Sequence, residues 1–448
     1  MKKILLINPK AGFARFRFNE PLVLGVLAAL TPDTYEIEFV DENFEPFTYR
    51  DCDLVALTSS TSSINRAYSI ARQYNENGIP SIIGGIHVSY LPEEATQYTT
   101  SVVVGDAEGV WKTILNDFEN NTLKKTYKNL DNNNRFIVAP DRSMFKKYPY
   151  GTASIETSRG CPYACDYCSI HSLYKHRRFE RPVEDIVNDL KTIDKKVVFF
   201  TDDNFLGNFQ DKDRIKTILK ALSKFNKKWA AFCTIEIIKH PDLLELFKET
   251  GCVILYIGIE TDKIDTLISI KKSVNKRVFD NYSLEDCLKI IHSYSIAVMG
   301  FLIFGFDSDQ SIEEMHSRLK KTNESGIDWI VIFLLTPIPG SPIFHTLRDE
   351  NRIIENNYPE DWAKYDFTRA VFKPKNVEPA DLNEFFVTTN DYYFNKKQTR
   401  RRFFRTLKET KSVKHTFYLY IWVINNWSNV RKYWFMRVFN VLVKIFMR

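Results

Sequence analysis

Short apolar runs alternate along the first 125 residues with segments whose apolar positions recur every three to four residues. The runs at 3–8, 35–41, 53–59, 81–84 and 101–105 predict strands; the segments at 21–30, 64–77 and 108–116 predict helices. Strand alternating with helix predicts a parallel, doubly wound α/β sheet. Ligands of such sheets sit beyond the carboxyl ends of the strands. The residues there are Asn8-Pro9, Asp41-Glu42-Asn43, Thr58-Ser59-Ser60, Gly84-Gly85-Ile86-His87 and Gly105-Asp106-Ala107-Glu108. A polar stretch, 126–150, predicts a linker running over the surface. The alternation then resumes, with strands expected at 153–157, 197–201, 230–235, 253–260, 297–304 and 329–334. Helical spacing falls between them at 182–193, 211–225, 241–250, 284–294 and 312–325. Six such units predict a partial (β/α)6 barrel over 151–345, with chemistry at the strand carboxyl ends. A core extension follows at 346–390, and a mainly helical tail at 391–448.

Composition changes this picture in two places. The tail 391–448 holds 14 Lys+Arg against 2 Asp+Glu. It carries +12, so the preceding residues, by difference from the whole chain's +6, carry −6. The basic character belongs to the tail. A helix over 430–448 would set Trp434, Val438, Val441, Leu442 and Ile445 along one side and Arg437, Lys444 and Arg448 on another. That pattern suits an anionic membrane surface; docking of the tail onto the barrel is the equal alternative, and nucleic acid ranks third. The seven cysteines do not form a disulfide framework, and Met1-Lys-Lys-Ile-Leu-Leu-Ile reads as a buried strand rather than a signal peptide. A reducing cytoplasm is the expected compartment, with peripheral attachment to the inner membrane face through the tail.

The chemistry is concentrated in Thr157-Ser-Arg-Gly-Cys161-Pro-Tyr-Ala-Cys165-Asp-Tyr-Cys168. Three thiolates within eight residues suit an iron–sulfur cluster or zinc. The next cysteine is Cys233, so the loop offers no fourth ligand, whereas a cubane usually takes four and structural zinc is closed by four. Zinc completed by His171 and His176 stays open at this point. The stretch, with the aromatic Tyr167 before the third cysteine, resembles the cluster motif of the radical S-adenosylmethionine (SAM) enzymes. That resemblance implies a [4Fe–4S] cluster on Cys161, Cys165 and Cys168, with SAM on the open iron, cleaved by one electron to a 5′-deoxyadenosyl radical.

Other strand ends extend the resemblance. Asp202-Asp203-Asn204 is similar to the family's Asp-Asp-Asn element, and Gly258-Ile-Glu260-Thr to its Gly-Ile-Glu-Ser segment. It implies SAM contacts from Tyr167, Asp203, Asn204, Glu260 and Gly305. The bland readings are helix caps, turns and a surface ion pair. The first 125 residues resemble the cobalamin-binding domain ahead of many radical SAM modules, through Gly84-Gly-x-His87 with Pro92-Glu-Glu and Val104-Gly-Asp-Ala-Glu108. Cobalamin contacts are then expected from Asn8, Thr58, Ser59, Gly84, Gly85, His87, Gly105 and Glu108. The cobalt-ligating Asp-x-His-x-x-Gly pattern is absent, so no histidine of that motif can hold cobalt. The expected activity is radical methylation of an unactivated C–H on a small or lipid-like substrate. An electron donor such as a flavodoxin or ferredoxin is the expected partner. Cobalamin-independent oxidation, rearrangement or C–C coupling is the alternative enzyme; an electron-transfer protein without turnover is the alternative of another class.

Overall fold

The computed structural model describes residues 1–11, 19–130 and 137–426, with only the backbone of 396, 414 and 421–426. In the first half, β1 (Lys2–Asn8), β2 (Tyr35–Asp41), β3 (Leu54–Thr58), β4 (Ser81–Gly84), β5 (Ser101–Gly105) and β6 (Thr126–Asn129) form one sheet in the order β2-β1-β3-β4-β5-β6. Every neighbouring pair is parallel. Helices cover both faces, which explains why the central strands are continuously apolar rather than alternating. On β1, Ile4 and Leu6 join Leu24, Leu27 and Trp111 of the helices Leu22–Leu30 and Trp111–Glu119. Leu5 and Ile7 face the other way, towards Ala67, Tyr68 and Ala71 of the helix Ile64–Glu76.

The stretch 126–150 is not simply a surface linker. Thr126–Asn129 pairs in register with β5, from Val102↔Thr126 to Gly105↔Asn129. Phe145, Tyr148 and Tyr150 are buried against Phe39 and its neighbours. Tyr150 donates to Asp41 Oδ2 at 2.6 Å. An edge strand that buries only Tyr127 and Asn129 shows too few apolar positions to stand out among polar neighbours. The expected helix at 108–116 begins later, at Trp111, after a short 3₁₀ turn at Ala107–Gly109.

The second sheet is built from β7 (Ala153–Ile155), then, past the small antiparallel pair β8 (Ser158–Arg159) and β9 (Phe179–Glu180), β10 (Val197–Phe200), β11 (Lys228–Cys233), β12 (Cys252–Glu260), β13 (Ala297–Phe304) and β14 (Trp329–Leu334). Its order, β14-β13-β12-β11-β10-β7, is sequential and all parallel. This is the expected six-strand partial barrel. The extension at 346–390 packs Leu347, Trp362, Tyr365 and Phe372 onto the apolar cluster of the first sheet, and Leu382 and Phe385 onto that of the barrel.

The tail, as far as it is described, docks. The helices Lys396–Thr410 and Val413–Asn426 pack against the amino-terminal end of the barrel strands. Arg405 donates to the carbonyls of Asn323 and Ile327, just ahead of β14, and His415 meets the carbonyl of Ser295, just ahead of β13. Leu419 and Tyr420 are buried, the latter edge-on to Trp329. Arg402 lies over Trp329 at 4.9 Å from the ring centroid. The amphipathic helix expected at 430–448 lies outside the described residues. Among the described residues no helix is long and apolar enough to cross a membrane.

Candidate functional site

The cysteine loop leaves the carboxyl end of β7 and is pinned at its root by two adjacent aspartates beyond β10. Asp202 is fully buried and accepts from the Thr157 N–H (3.1 Å), the Thr157 hydroxyl (2.6 Å) and the Ser158 hydroxyl. Asp203 accepts from the Gly160 N–H at 2.8 Å. Gly160 is left-handed, φ 90°, and a side chain there would run into the Arg177 carbonyl, so the turn into Cys161 needs glycine. Further along, Asp166 N–H donates to Ile270 O and Ile343 N–H to Asp166 O, both at 3.0 Å, tying the loop to the other side of the barrel mouth.

Cys165 is buried and Cys161 and Cys168 are half-buried. Burial pushes the Cys161 thiol up to about 11 and the Cys168 thiol to about 12, with the Lys272 ammonium pulling Cys161 the other way. Such thiols are protonated at neutral pH until a cation takes up the thiolate charge. Among the described residues no three His, Cys, Asp or Glu side chains gather about one point. An all-thiolate set of three fits a cubane, in which each thiolate takes a different iron. The His171 and His176 rings lie tilted against each other, centroids 4.9 Å apart.

Across the mouth, β12 ends in Glu260, a buried non-glycine residue at φ 62°. Its Oε1 accepts from the Tyr167 hydroxyl at 2.9 Å and from Lys272 Nζ at 3.1 Å. Tyr167 and Glu260 are therefore brought together, and the carboxylate faces the cysteine loop. One aromatic ring from each of five successive strands lines the barrel on the side away from its helices: Phe199, Phe232, Tyr256, Phe301 and Phe333. Phe232, Phe301 and Phe333 are only partly buried, and Phe367 beyond Phe333 is exposed, so a rim of aromatic faces stays open.

The carboxyl ends of the two sheets face each other across a cavity of about 340 Å³. From the first sheet it is lined by Thr58, Gly84, Gly85, Gly105 and Glu108, with an apolar wall that includes Leu24 and Val26; Glu156, Arg159, Tyr174 and Asp203 line the opposite side. Gly85 is at φ 114°, and a side chain there would strike the Ser59 backbone. Arg159 bridges the two halves, with ion pairs to Asp106 (3.2 Å), Glu108 (2.9 Å) and Glu156 (2.6 Å). The carboxylates outnumber it. Burial drives the Glu108 carboxyl above the usual range, and Asp203, which opens onto the cavity but is hemmed in by protein, rises to about 6 mainly through desolvation.

Several expected residues lie elsewhere. Asn8, Ser59 and His87 do not line the cavity. His87 is buried, its ring nitrogens 3.3 Å from Thr61 Oγ1 and Glu94 Oε1, and its ring packs edge-on to Trp362. It holds the extension to the first sheet. Asn204 turns inward and donates to Gly207 O at 2.7 Å. Gly305 is left-handed, φ 96°, but the place of its missing side chain is filled by Leu382, 2.8 Å from where Cβ would stand, so no backbone face is open there. Conversely, the anchoring roles of Asp202 and Arg159, and Lys272 and the aromatic rim altogether, were not singled out from the sequence. Asp202 and Arg159 had a signal, being inside the Asp-Asp-Asn element and the cysteine motif.

The radical SAM superfamily model matches residues 155–319. The chain is 30% identical over 406 residues to bacteriochlorophyllide d C-12(1)-methyltransferase of Chlorobaculum tepidum, covering 86% of each chain. It is 28% identical over 386 residues to hopanoid C-2 methylase of Rhodopseudomonas palustris, covering 80% of this chain and 72% of that one. Among solved structures it is similar to the radical SAM methyltransferase TsrM of Kitasatospora setae with cobalamin and a [4Fe-4S] cluster bound (TM-score 0.61, 16% identity, 78% of this chain and 75% of that one). It is also similar to the cobalamin-dependent radical SAM enzyme OxsB with aqua-cobalamin and S-adenosylmethionine bound (TM-score 0.67, 15% identity, 95% and 73%). A cysteine loop at the mouth of a six-strand parallel barrel, with that level of shared sequence over nearly the full length, makes this chain a member of the radical SAM superfamily.

Proposed function

We propose that this protein is a cobalamin-dependent radical SAM enzyme that methylates an unactivated carbon of an apolar, ring-built substrate. The observation that carries this reading is the cavity itself. Residues on either side of the cysteine loop, Arg159 before it and Ile170 and Tyr174 after it, line the cavity with Asp203 opposite the glycine-lined strand ends of the doubly wound sheet. Cys161, Cys165 and Cys168 would hold a [4Fe–4S] cluster, the donor set fitting because it is all-thiolate and one short of closure. Thr58, Gly84, Gly85, Gly105 and Glu108 would hold part of a corrinoid, which exceeds the enclosed volume and must extend along the opening between the halves. When bound, the cluster supplies the electron that cleaves SAM to an organic radical, and the corrinoid supplies the methyl group.

The protein's own share is positioning and exclusion. Asp202 and Asp203 fix where the cysteine loop starts. Glu260 and Tyr167 present a carboxylate and a ring at the loop's edge, and a carboxylate can accept both hydroxyls of a ribose. Asp203 offers a second acceptor, for an ammonium. The partly open rings of Phe232, Phe301, Phe333 and Phe367 give the substrate an apolar face, and they keep water from a radical. The relatives named for bacteriochlorophyllide and hopanoid substrates favour the same class. With His87 committed to Thr61 and Glu94, cobalt would receive no ligand from that residue.

A cytoplasmic enzyme reduced by a small one-electron carrier protein completes the reading. The basic, aromatic sequence of 427–448 suits an anionic membrane surface, where an apolar substrate would be met; its removal should reduce co-sedimentation with anionic vesicles. The central test is anaerobic reconstitution with iron, sulfide and hydroxocobalamin. Expected are iron near four per chain, corrinoid absorption that stays with the protein, and 5′-deoxyadenosine from SAM under reduction. Alanine at Cys161, Cys165 or Cys168 should abolish the iron and the deoxyadenosine. Deoxyadenosine without any retained corrinoid would point to the cobalamin-independent enzyme instead.

A further inference from the structure

Lys272 lies between the helices Ile264–Ser269 and Ser273–Phe279, at the edge of the barrel mouth. Its side chain is only 13% exposed. Nζ donates to Glu260 Oε1 and to the Tyr167 hydroxyl oxygen, both at 3.1 Å, and stands 5.8 Å from the centre of the Tyr167 ring. Tyr167 directly precedes Cys168, so the ammonium is held against the cysteine loop. Its field favours the thiolate forms of Cys161 and Cys165, while the Glu260 carboxylate disfavours that of Cys165.

A buried lysine needs a partner, and Glu260 is one. A plain structural ion pair, however, would not require the other two features of this corner. Glu260 holds a left-handed backbone, which costs a non-glycine residue free energy and is sustained only by its surroundings. Gly258 adds room at this corner: a Cβ there would stand 3.2 Å from Lys272 Nζ and closer still to Glu260 Oε1, so a side chain would displace the pair.

We propose that Lys272 is a positioning residue that holds the reduction potential of the cluster up. The proposal rests on the reading that the three cysteines carry a [4Fe–4S] cluster. Reduction adds one electron, delivered by an external low-potential donor, and raises the negative charge inside a ring of thiolates. A fixed positive charge nearby stabilises the reduced form, and by pairing with Glu260 it also offsets a carboxylate that would repel the electron. A unit charge about 10 Å away in a partly buried site changes the reduced-to-oxidised ratio at fixed potential on the order of tenfold, about 59 mV for a one-electron couple.

The test is a mediator-poised redox titration of the full-length reconstituted protein, following the reduced cluster by electron paramagnetic resonance, with and without SAM, and with iron counted for each sample. Lys272→Met should lower the reduced fraction at a given potential about tenfold. Lys272→Arg should restore it. Glu260→Gln, which leaves the ammonium in place, should shift the couple the opposite way, and the double variant Glu260→Gln/Lys272→Met should fall between. Full iron in Lys272→Met with a wild-type titration curve would overturn the proposal. So would an unshifted Glu260→Gln, which decides the matter should Lys272→Met fail to assemble. An effect present only with SAM would assign Lys272 to SAM binding and overturn it too. Wild-type protein that takes up no iron would overturn the cluster reading, and this proposal with it.

Discussion

Asp202→Ala should loosen the cysteine loop at its root. The carboxylate is fully buried and serves three donors on two consecutive residues, the Thr157 N–H, the Thr157 hydroxyl and the Ser158 hydroxyl. Hydrogen bonds to a charged group contribute about 1.5–3 kcal/mol each, and a buried donor left unpaired costs about 1–3 kcal/mol. The two hydroxyls can rotate to new acceptors, whereas the N–H cannot. Removing a carboxylate whose burial already drives its pKa upwards returns part of the loss. The net cost should be about 3 kcal/mol, a fall of roughly 5–10 °C in the barrel's melting temperature. Asp202→Asn keeps one acceptor for the hydroxyls and should lose about half as much. Because the strain falls on the residues leading into Cys161, iron per chain after reconstitution should fall in the same order: wild type, then Asn, then Ala. Differential scanning calorimetry and iron analysis read the two quantities separately. An alanine variant with wild-type melting and full iron would refute the anchoring role.

Three further outcomes follow from buried charge and burial elsewhere. Arg159→Met should strand Asp106, Glu108 and Glu156 without their cation, at about 3–5 kcal/mol for a broken buried pair; the loss in melting temperature should be larger at pH 8 than at pH 5, because burial already raises the Glu108 carboxyl above its usual range and its protonation as pH falls removes the unpaired charge. His292, buried 2.8 Å from Asp328, has a pKa that desolvation lowers but the aspartate's charge and hydrogen bond raise further, for a net rise above the usual 6.5. Its stabilising contribution is full below the unfolded pKa and is lost as pH rises through the raised folded value, so His292→Gln should cost more at pH 6 than at pH 9 in paired melts. Deleting 413–448 removes Leu419 and Tyr420 from Trp329 and its neighbours, about 1.5–3 kcal/mol for each large side chain, and the truncated chain should sediment as aggregate where deletion of 427–448 leaves it soluble.

The strands were legible because burial makes them continuous apolar runs, and eleven of the twelve large-sheet strands stand where the runs predict them. β6 was hidden, since an edge strand can alternate polar and apolar residues and still be held by its neighbour's backbone. The cysteines were legible because three thiolates in eight residues have few other uses. Asp203 and Glu260 were placed correctly at the mouth, since strand-end position alone points there. His87, Asn204 and Gly305 mislead for the same reason: strand-end position says where the backbone goes, not whether the side chain turns to the cavity or back into the fold. Lys272 carries no pattern at all, and Asp202 shows only as the first residue of the Asp-Asp-Asn element, not as the anchor of the cysteine loop. A lone lysine or the first of two aspartates gains meaning only when folding sets it beside residues about 100 and 45 positions away.

The two ends of the barrel handle buried charge in opposite ways, and this separates structure from chemistry. At the amino-terminal end Arg402 is buried over the rings of Trp329 and Phe394 and donates to the Tyr393 carbonyl; its partners are neutral, burial lowers its pKa to about 10, and the tail helices pack over that end. At the carboxyl-terminal end Arg159 and Lys272 pair directly with carboxylates, and three of these share Arg159, beside thiols that burial keeps protonated. Such an arrangement is poorly balanced by itself, because desolvated charges of one sign are left in excess. A polycationic metal core held by the thiolates and an ammonium held by Asp203 would offset that excess. The surplus of carboxylates argues that the barrel mouth is built for ligands that bring positive charge with them.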